Sequence, residues 1–123
     1  MTTSHDIDFS LLTKRSDARS FSAGEMIFAA GDAASELYVV KAGQVDIKLG
    51  NRLLETVGPN GIFGEMALID GSPRSASAVA ASSGELVPLN EKQFLFLVGE
   101  TPYFALNVLR ILTQRLRITT SSL

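Results

Sequence analysis

From Arg19 onward the apolar residues fall in short runs broken by turn residues, and near residue 90 their spacing changes from two to three and four. Phe21 and Met26-Ile27-Phe28 flank Ser22-Ala23-Gly24-Glu25, which reads as a turn, and Gly31-Asp32 marks the next one. Glu36-Leu37-Tyr38-Val39-Val40 is rich in β-branched and aromatic residues, the types that suit a pleated surface. Gln44-Val45-Asp46-Ile47-Lys48-Leu49 alternates polar and apolar strictly, as a strand with one buried face does. Gly50-Asn51 then predicts a tight hairpin turn into Leu53-Leu54-Glu55-Thr56-Val57. Beyond a glycine-rich stretch, residues 75–81 and 85–89 supply two more strands around Ser82-Ser83-Gly84. Many short strands at regular spacing predict an antiparallel β-jelly-roll barrel.

The second pattern is helical. Asn90 is placed to cap a helix over 91–98 that ends near Gly99, and Thr101-Pro102 opens another. In the latter, Phe104, Val108, Ile111 and Ile118 make one apolar stripe, and Ala105, Leu109, Leu112 and Leu116 make an adjacent one. A single buried face needs only one stripe. Two readings stay open. One stripe packs on the barrel while the other meets the same helix of a second chain, which makes residues 102–120 a candidate homodimer surface; or the helix sinks into a broad groove of its own domain. Residues 1–18, largely polar with one small apolar cluster at Phe9, Leu11 and Leu12, are set apart as an N-terminal segment. Residues 19–123 then form one domain, mainly β with flanking α and with its helices C-terminal.

Composition narrows the function. A chain of 123 residues suits one domain, long enough to bury about two-thirds of its unfolded surface. It has no cysteine, which excludes disulfides and thiol chemistry and fits a reducing compartment. No apolar run reaches membrane-spanning length and the polar N-terminus lacks a signal-peptide core, so a cytoplasmic protein with no membrane contact is expected. The net charge of −2 lacks the basic footprint of a dedicated nucleic-acid binder. Arg110, Arg115 and Arg117 follow the last acidic residue, Glu100, and read as a solvated face compatible with a helix C-terminus. His5 is the only histidine, so a multi-imidazole metal centre of the kind some small jelly rolls carry has no ligands here. Nor is there a nucleophile–base pair. No catalysis, metal or cofactor is expected.

The residues that carry chemistry lie between Gly61 and Ala78. This stretch opens with glycines, starts a helical turn at Gly64-Glu65, and closes on Arg74 among small residues. Free N–H groups at a helix start favour an anion, and a guanidinium grips phosphate oxygens in pairs. Glu65 adds an acceptor for hydroxyls. Donors for a phosphate beside an acceptor for a sugar suit a nucleotide. The bland alternatives are a salt bridge from Arg74 to Glu65 or Asp70, a capping role for Glu65, and a positive-φ turn at Gly64. Met66, Ala67, Leu68 and Ile69 read mainly as core beneath the turn.

Gly64-Glu65-Met66-Ala67-Leu68 followed by Pro73-Arg74-Ser75-Ala76 resembles the phosphate-binding cassette of cyclic-nucleotide-binding domains, the family of catabolite activators, nucleotide-gated channels and regulatory subunits of cyclic-AMP-dependent kinase. The resemblance runs from about Arg19 to Thr120. It implies a non-catalytic sensor for cyclic AMP or cyclic GMP that signals through its C-terminal helix. Glu65 would accept the ribose 2′-hydroxyl, Arg74 would pair with the phosphate, and Ser75 and Ala76 would add a hydroxyl and an N–H. Gly64, Met66 and Ala67 complete the implied ligand-binding set. Gln114 to Thr120 resembles the helix that supplies hydroxyls to the base, placing Thr119 and Thr120 there. Only three residues follow, so the long dimer helix and DNA-reading module of the catabolite activators are not expected, nor is direct DNA binding. A ligand-free interaction module of the same fold, or the sensor half of a larger transcriptional regulator, stand as alternatives.

Overall fold

The computed structural model describes the backbone of residues 17–121 and side chains as far as Arg117. His5, Phe9, Leu11 and Leu12 lie outside the described residues, and so do the side chains of Ile118, Thr119 and Thr120.

Eight strands come first: β1 (Arg19–Phe21), β2 (Met26–Phe28), β3 (Glu36–Ala42), β4 (Val45–Leu49), β5 (Arg52–Val57), β6 (Ile62–Phe63), β7 (Ser77–Ala80) and β8 (Gly84–Asn90). Helix α1 (Glu65–Asp70) interrupts them after β6, and α2 (Glu91–Glu100) and α3 (Pro102–Ser121) follow. The strands form two antiparallel four-stranded sheets, ordered β1-β8-β3-β6 and β2-β7-β4-β5. They make the expected jelly roll, as two facing sheets rather than a closed barrel.

The near-continuous apolar run of β3 follows from burial on both faces. Tyr38 and Val40 join Phe21, Val45, Val57, Phe63, Ala78, Ala80 and Leu86 in a core between the sheets. Leu37 and Val39 point the other way, with Ile62, Leu68, Val87, Leu89, Phe104 and Val108, into a second core under the helices. Successive side chains on a strand face opposite sides, so one strand serves both layers. By contrast β4 loses its burial toward Leu49, and its pairing with β5 shifts register after Ile47.

Asn90 caps α2 as expected: its side chain accepts from the Gln93 N–H at 2.8 Å while Gln93 Oε1 accepts from the Asn90 N–H at 2.9 Å. Gly99 does not end the helix, which runs on to Glu100 and closes with the Thr101 N–H on the Leu97 carbonyl. The helical bond is satisfied there and an exposed glycine costs only about 1 kcal/mol. The two stripes of α3 also divide unevenly. Phe104 and Val108 are buried and Ile111 and Leu112 pack partly on the same core, whereas Leu109 and Leu116 remain 59% and 66% exposed. No single helix among the described residues is long and apolar enough to cross a membrane.

Candidate functional site

The site is assembled where β6 runs into α1 and where the loop after α1 returns toward β7. Gly64 sits at the helix start with φ 79°, a left-handed conformation that side chains resist. A second constraint acts there too: a Cβ on Gly64 would lie 2.8 Å from Arg74 Nη1. The glycine therefore serves both the turn and the guanidinium. Since α1 has only six residues, its dipole is short and the charge of the site rests mainly on Arg74.

Arg74 is buried, 5% exposed. Its Nη1 donates to the Gly64 carbonyl at 2.8 Å and its Nη2 to the Glu36 carbonyl at 2.6 Å. The guanidinium carbon lies 4.0 Å above the centre of the Phe28 ring, with Tyr38 at 5.7 Å. The alternative salt bridge to Glu65 or Asp70 does not form; no carboxylate among the described residues makes an ion pair with Arg74. Its buried Nε–H has no acceptor. Burial pushes the Arg74 pKa below the ordinary arginine value, against smaller opposing contributions from Tyr38, Glu36 and Asp32. Burying a cation without a counter-ion is costly, and an anion beside it would offset that cost.

Glu65 is buried too, 3% exposed, and faces a different partner. Its Oε1 accepts from Arg115 Nη1 and its Oε2 from the Met66 N–H at 3.1 Å. Arg115 comes from α3. Its Nε also donates to Glu55 Oε1 on β5 at 2.8 Å, and its Nη2 to Glu55 Oε2 at 3.2 Å and the Ile62 carbonyl at 2.8 Å. One guanidinium thus ties the last helix to the carboxylate at the cassette and to the β4–β5 hairpin.

That pairing corrects the reading of three solvated arginines, because Arg115 turns inward. The signal was present: Phe104, Val108 and Ile111 continue at helical spacing to residue 115, so the arginine extends the core-facing stripe. Phe28, Tyr38, Glu36 and Glu55 also went unassigned from sequence, since nothing local links them to Arg74 or Glu65. A further correction concerns the turn. Ala67 and Leu68 are core, but Met66 and Ile69 are about half exposed, because so short a helix covers the core with only one side. Ser75 is exposed and Ala76 half-buried immediately after the arginine. Arg74 lies on the Gly64 carbonyl, and Glu65, next in the chain, turns to Arg115 instead. Thr119 and Thr120 continue α3 beyond Arg115, but their side chains lie outside the described residues.

An open groove of about 470 Å³ lies elsewhere, between the β2–β3 loop, α1 and the start of α2, lined by residues including Ser35, Leu68, Asn90 and Lys92. It contains neither Arg74 nor Glu65, and a solvent-exposed lysine at its rim is a weak anchor for an anion.

Residues 18–101 match the pattern of the family described as the cyclic nucleotide-binding domain. The chain is similar to the cyclic AMP receptor protein of Thermus thermophilus, 40% identical over 104 residues that cover 80% of this chain and 48% of the relative. It also resembles the CRP-like cAMP-activated global transcriptional regulator of Mycobacterium tuberculosis, 31% identical over 119 residues, 91% of this chain and 52% of the relative. The crystal structure of the Thermus thermophilus catabolite activator protein superimposes with a TM-score of 0.78 at 38% identity, covering 85% of this chain and 52% of that one. The chain therefore spans about half the length of the curated relatives it matches. Fold, cassette residues and the extent of the match agree: this chain belongs to the cyclic nucleotide-binding domain family.

Proposed function

We propose that the chain is a non-catalytic sensor of a cyclic nucleotide, cyclic AMP in the first instance, that signals through α3. The observation that carries this reading is Arg74: a buried guanidinium with no ion-pair partner among the described residues and an Nε–H without an acceptor. A cyclic phosphodiester brings the one negative charge this cation lacks. Ser75 and Ala76 follow directly and would add a hydroxyl and an N–H to the phosphate oxygens. Glu65 would accept the ribose 2′-hydroxyl, with Gly64 allowing close approach, Ala67 beneath and Met66 exposed beside it. Thr119 and Thr120 are the candidate base contacts.

The route to an output is the pairing of Glu65 with Arg115. A ribose hydroxyl and the α3 guanidinium address the same carboxylate, so occupancy of the cassette changes what holds α3. The helix is then a two-state element biased by differential contacts. Its exposed leucines, Leu106, Leu109 and Leu116, recur at spacings of three and seven, as a seam between paired helices does. We infer a homodimer through residues 102–120, with the output carried by the partner subunit or another protein.

A second reading has its own support. The relatives named above as a receptor protein and a transcriptional regulator are about twice as long as the part matched, so the chain also fits the sensor half of a larger regulator. Calorimetric titration with cyclic AMP and cyclic GMP tests the common core of both. Saturable uptake of one, lost in Arg74→Ala, is expected; uptake of neither leaves only a ligand-free interaction module of the same fold.

A further inference from the structure

We propose that Phe28 is the positioning residue of the anion site: its ring fixes the plane of the Arg74 guanidinium, and with it the directions of the N–H groups that a phosphate would meet. The inference rests on the reading of Arg74 as the phosphate cation and adds how that cation is held.

An arginine side chain has several rotatable bonds, and a flexible one would lose much of its freedom on gripping an anion. Here most of that freedom is already spent. Phe28 takes one face of the guanidinium at 4.0 Å. In the plane, the carbonyls of Gly64 and Glu36 take Nη1 and Nη2. Nε–H has no acceptor, and each terminal nitrogen carries a second N–H beyond the one given to a carbonyl. Nε with a neighbouring terminal nitrogen is one of the paired edges by which a guanidinium binds two phosphate oxygens.

The ring is itself held. It lies 6.1 Å from Tyr38 and 6.0 Å from Phe63, which are 5.2 Å from each other, so three aromatic rings form one platform. The main chain adds a second tie. The Arg74 N–H donates to the Asp32 carbonyl at 2.8 Å and the Gly31 N–H to the Arg74 carbonyl at 2.7 Å. Asp32 in turn folds back on Ala29, through its carboxylate to the Ala29 N–H and through its own N–H to the Ala29 carbonyl. Phe28 therefore precedes the very turn to which the Arg74 backbone is bonded. Gly64 completes the slot, since a Cβ there would also come 3.4 Å from Phe28 Cε2. A leucine at 28 would fill the space but offer no π face to the cation.

Two measurements on the same proteins test this. In the protein alone, the Arg74 Nε–H resonance in ¹⁵N NMR, assigned by its loss in Arg74→Met, should exchange slowly and carry the ring-current shift of Phe28. Phe28→Leu should move that resonance and speed its exchange, and Phe28→Tyr should restore both. Calorimetry should show Phe28→Leu binding cyclic AMP about 2- to 30-fold more weakly, with Phe28→Tyr near wild type. A purely structural role would lower the melting temperature of Phe28→Leu while leaving the resonance and the affinity unmoved, which overturns the proposal. Uptake of neither cyclic AMP nor cyclic GMP by the wild-type chain instead overturns the functional reading, and with it the purpose assigned to the stack.

Discussion

Replacing Arg74 by methionine should separate binding from stability. In the unliganded protein the guanidinium contributes two hydrogen bonds to carbonyls, about 1.5–3 kcal/mol each for a charged donor, and a stacking contact worth up to about 2 kcal/mol. Against these stands the desolvation of a charge that is 5% exposed, several kcal/mol by itself. The two sides nearly cancel, and methionine adds a well-sized apolar chain against Phe28. Arg74→Met should therefore change the stability of the protein alone by no more than about 2 kcal/mol.

Binding should respond very differently. Removing the cation from a buried charge pair costs about 2–5 kcal/mol. With cyclic AMP at 100 times the wild-type Kd, the ligand should stabilise the wild type by about 2.7 kcal/mol. For a domain of this size that raises Tm by about 10 °C. At the same ligand concentration the variant should gain less than about 1 kcal/mol, a rise of no more than about 3 °C. Differential scanning calorimetry with and without ligand reads both numbers. An equal ligand-induced rise in the two proteins would refute the phosphate assignment. A loss of 4 kcal/mol or more in the unliganded variant would show that the charge is compensated and structural.

The other expectations concern the carboxylate, the latch and the helix. Glu65→Gln should weaken cyclic AMP by about tenfold or more while leaving 2′-deoxy cyclic AMP nearly unchanged; the ratio of the two affinities, measured by competition, is the readout, and an unaltered ratio would separate Glu65 from the ribose. Arg115→Ala should destabilise the fold by about 3 kcal/mol in urea unfolding, since it strands the 3%-exposed Glu65 carboxylate. Adding Glu65→Gln to that variant should recover part of the loss, whereas simple additivity would mean that the two side chains do not depend on each other. Sedimentation should show a concentration-dependent dimer for the wild type and a monomer for the double variant Leu109→Glu, Leu116→Glu; identical profiles would remove α3 as the dimer surface.

What the chain determined locally is clear from its strands and caps. Alternation over 44–49, the Gly50-Asn51 turn and the Asn90 cap each depend on neighbours within a few residues, and each formed where the pattern placed it. The cassette was legible for the same reason, since Gly64, Glu65 and Arg74 lie within eleven consecutive positions. Tertiary structure alone decided who partners whom. Arg74 lies on Phe28 and under the Glu36 carbonyl, 46 and 38 residues away, and Glu65 pairs with an arginine 50 residues further on. Such contacts come from how the two sheets face each other and where α3 docks, and no local periodicity encodes them. The chain specified a cation and a carboxylate; the fold decided that the carboxylate would be paired and the cation left without a counter-ion.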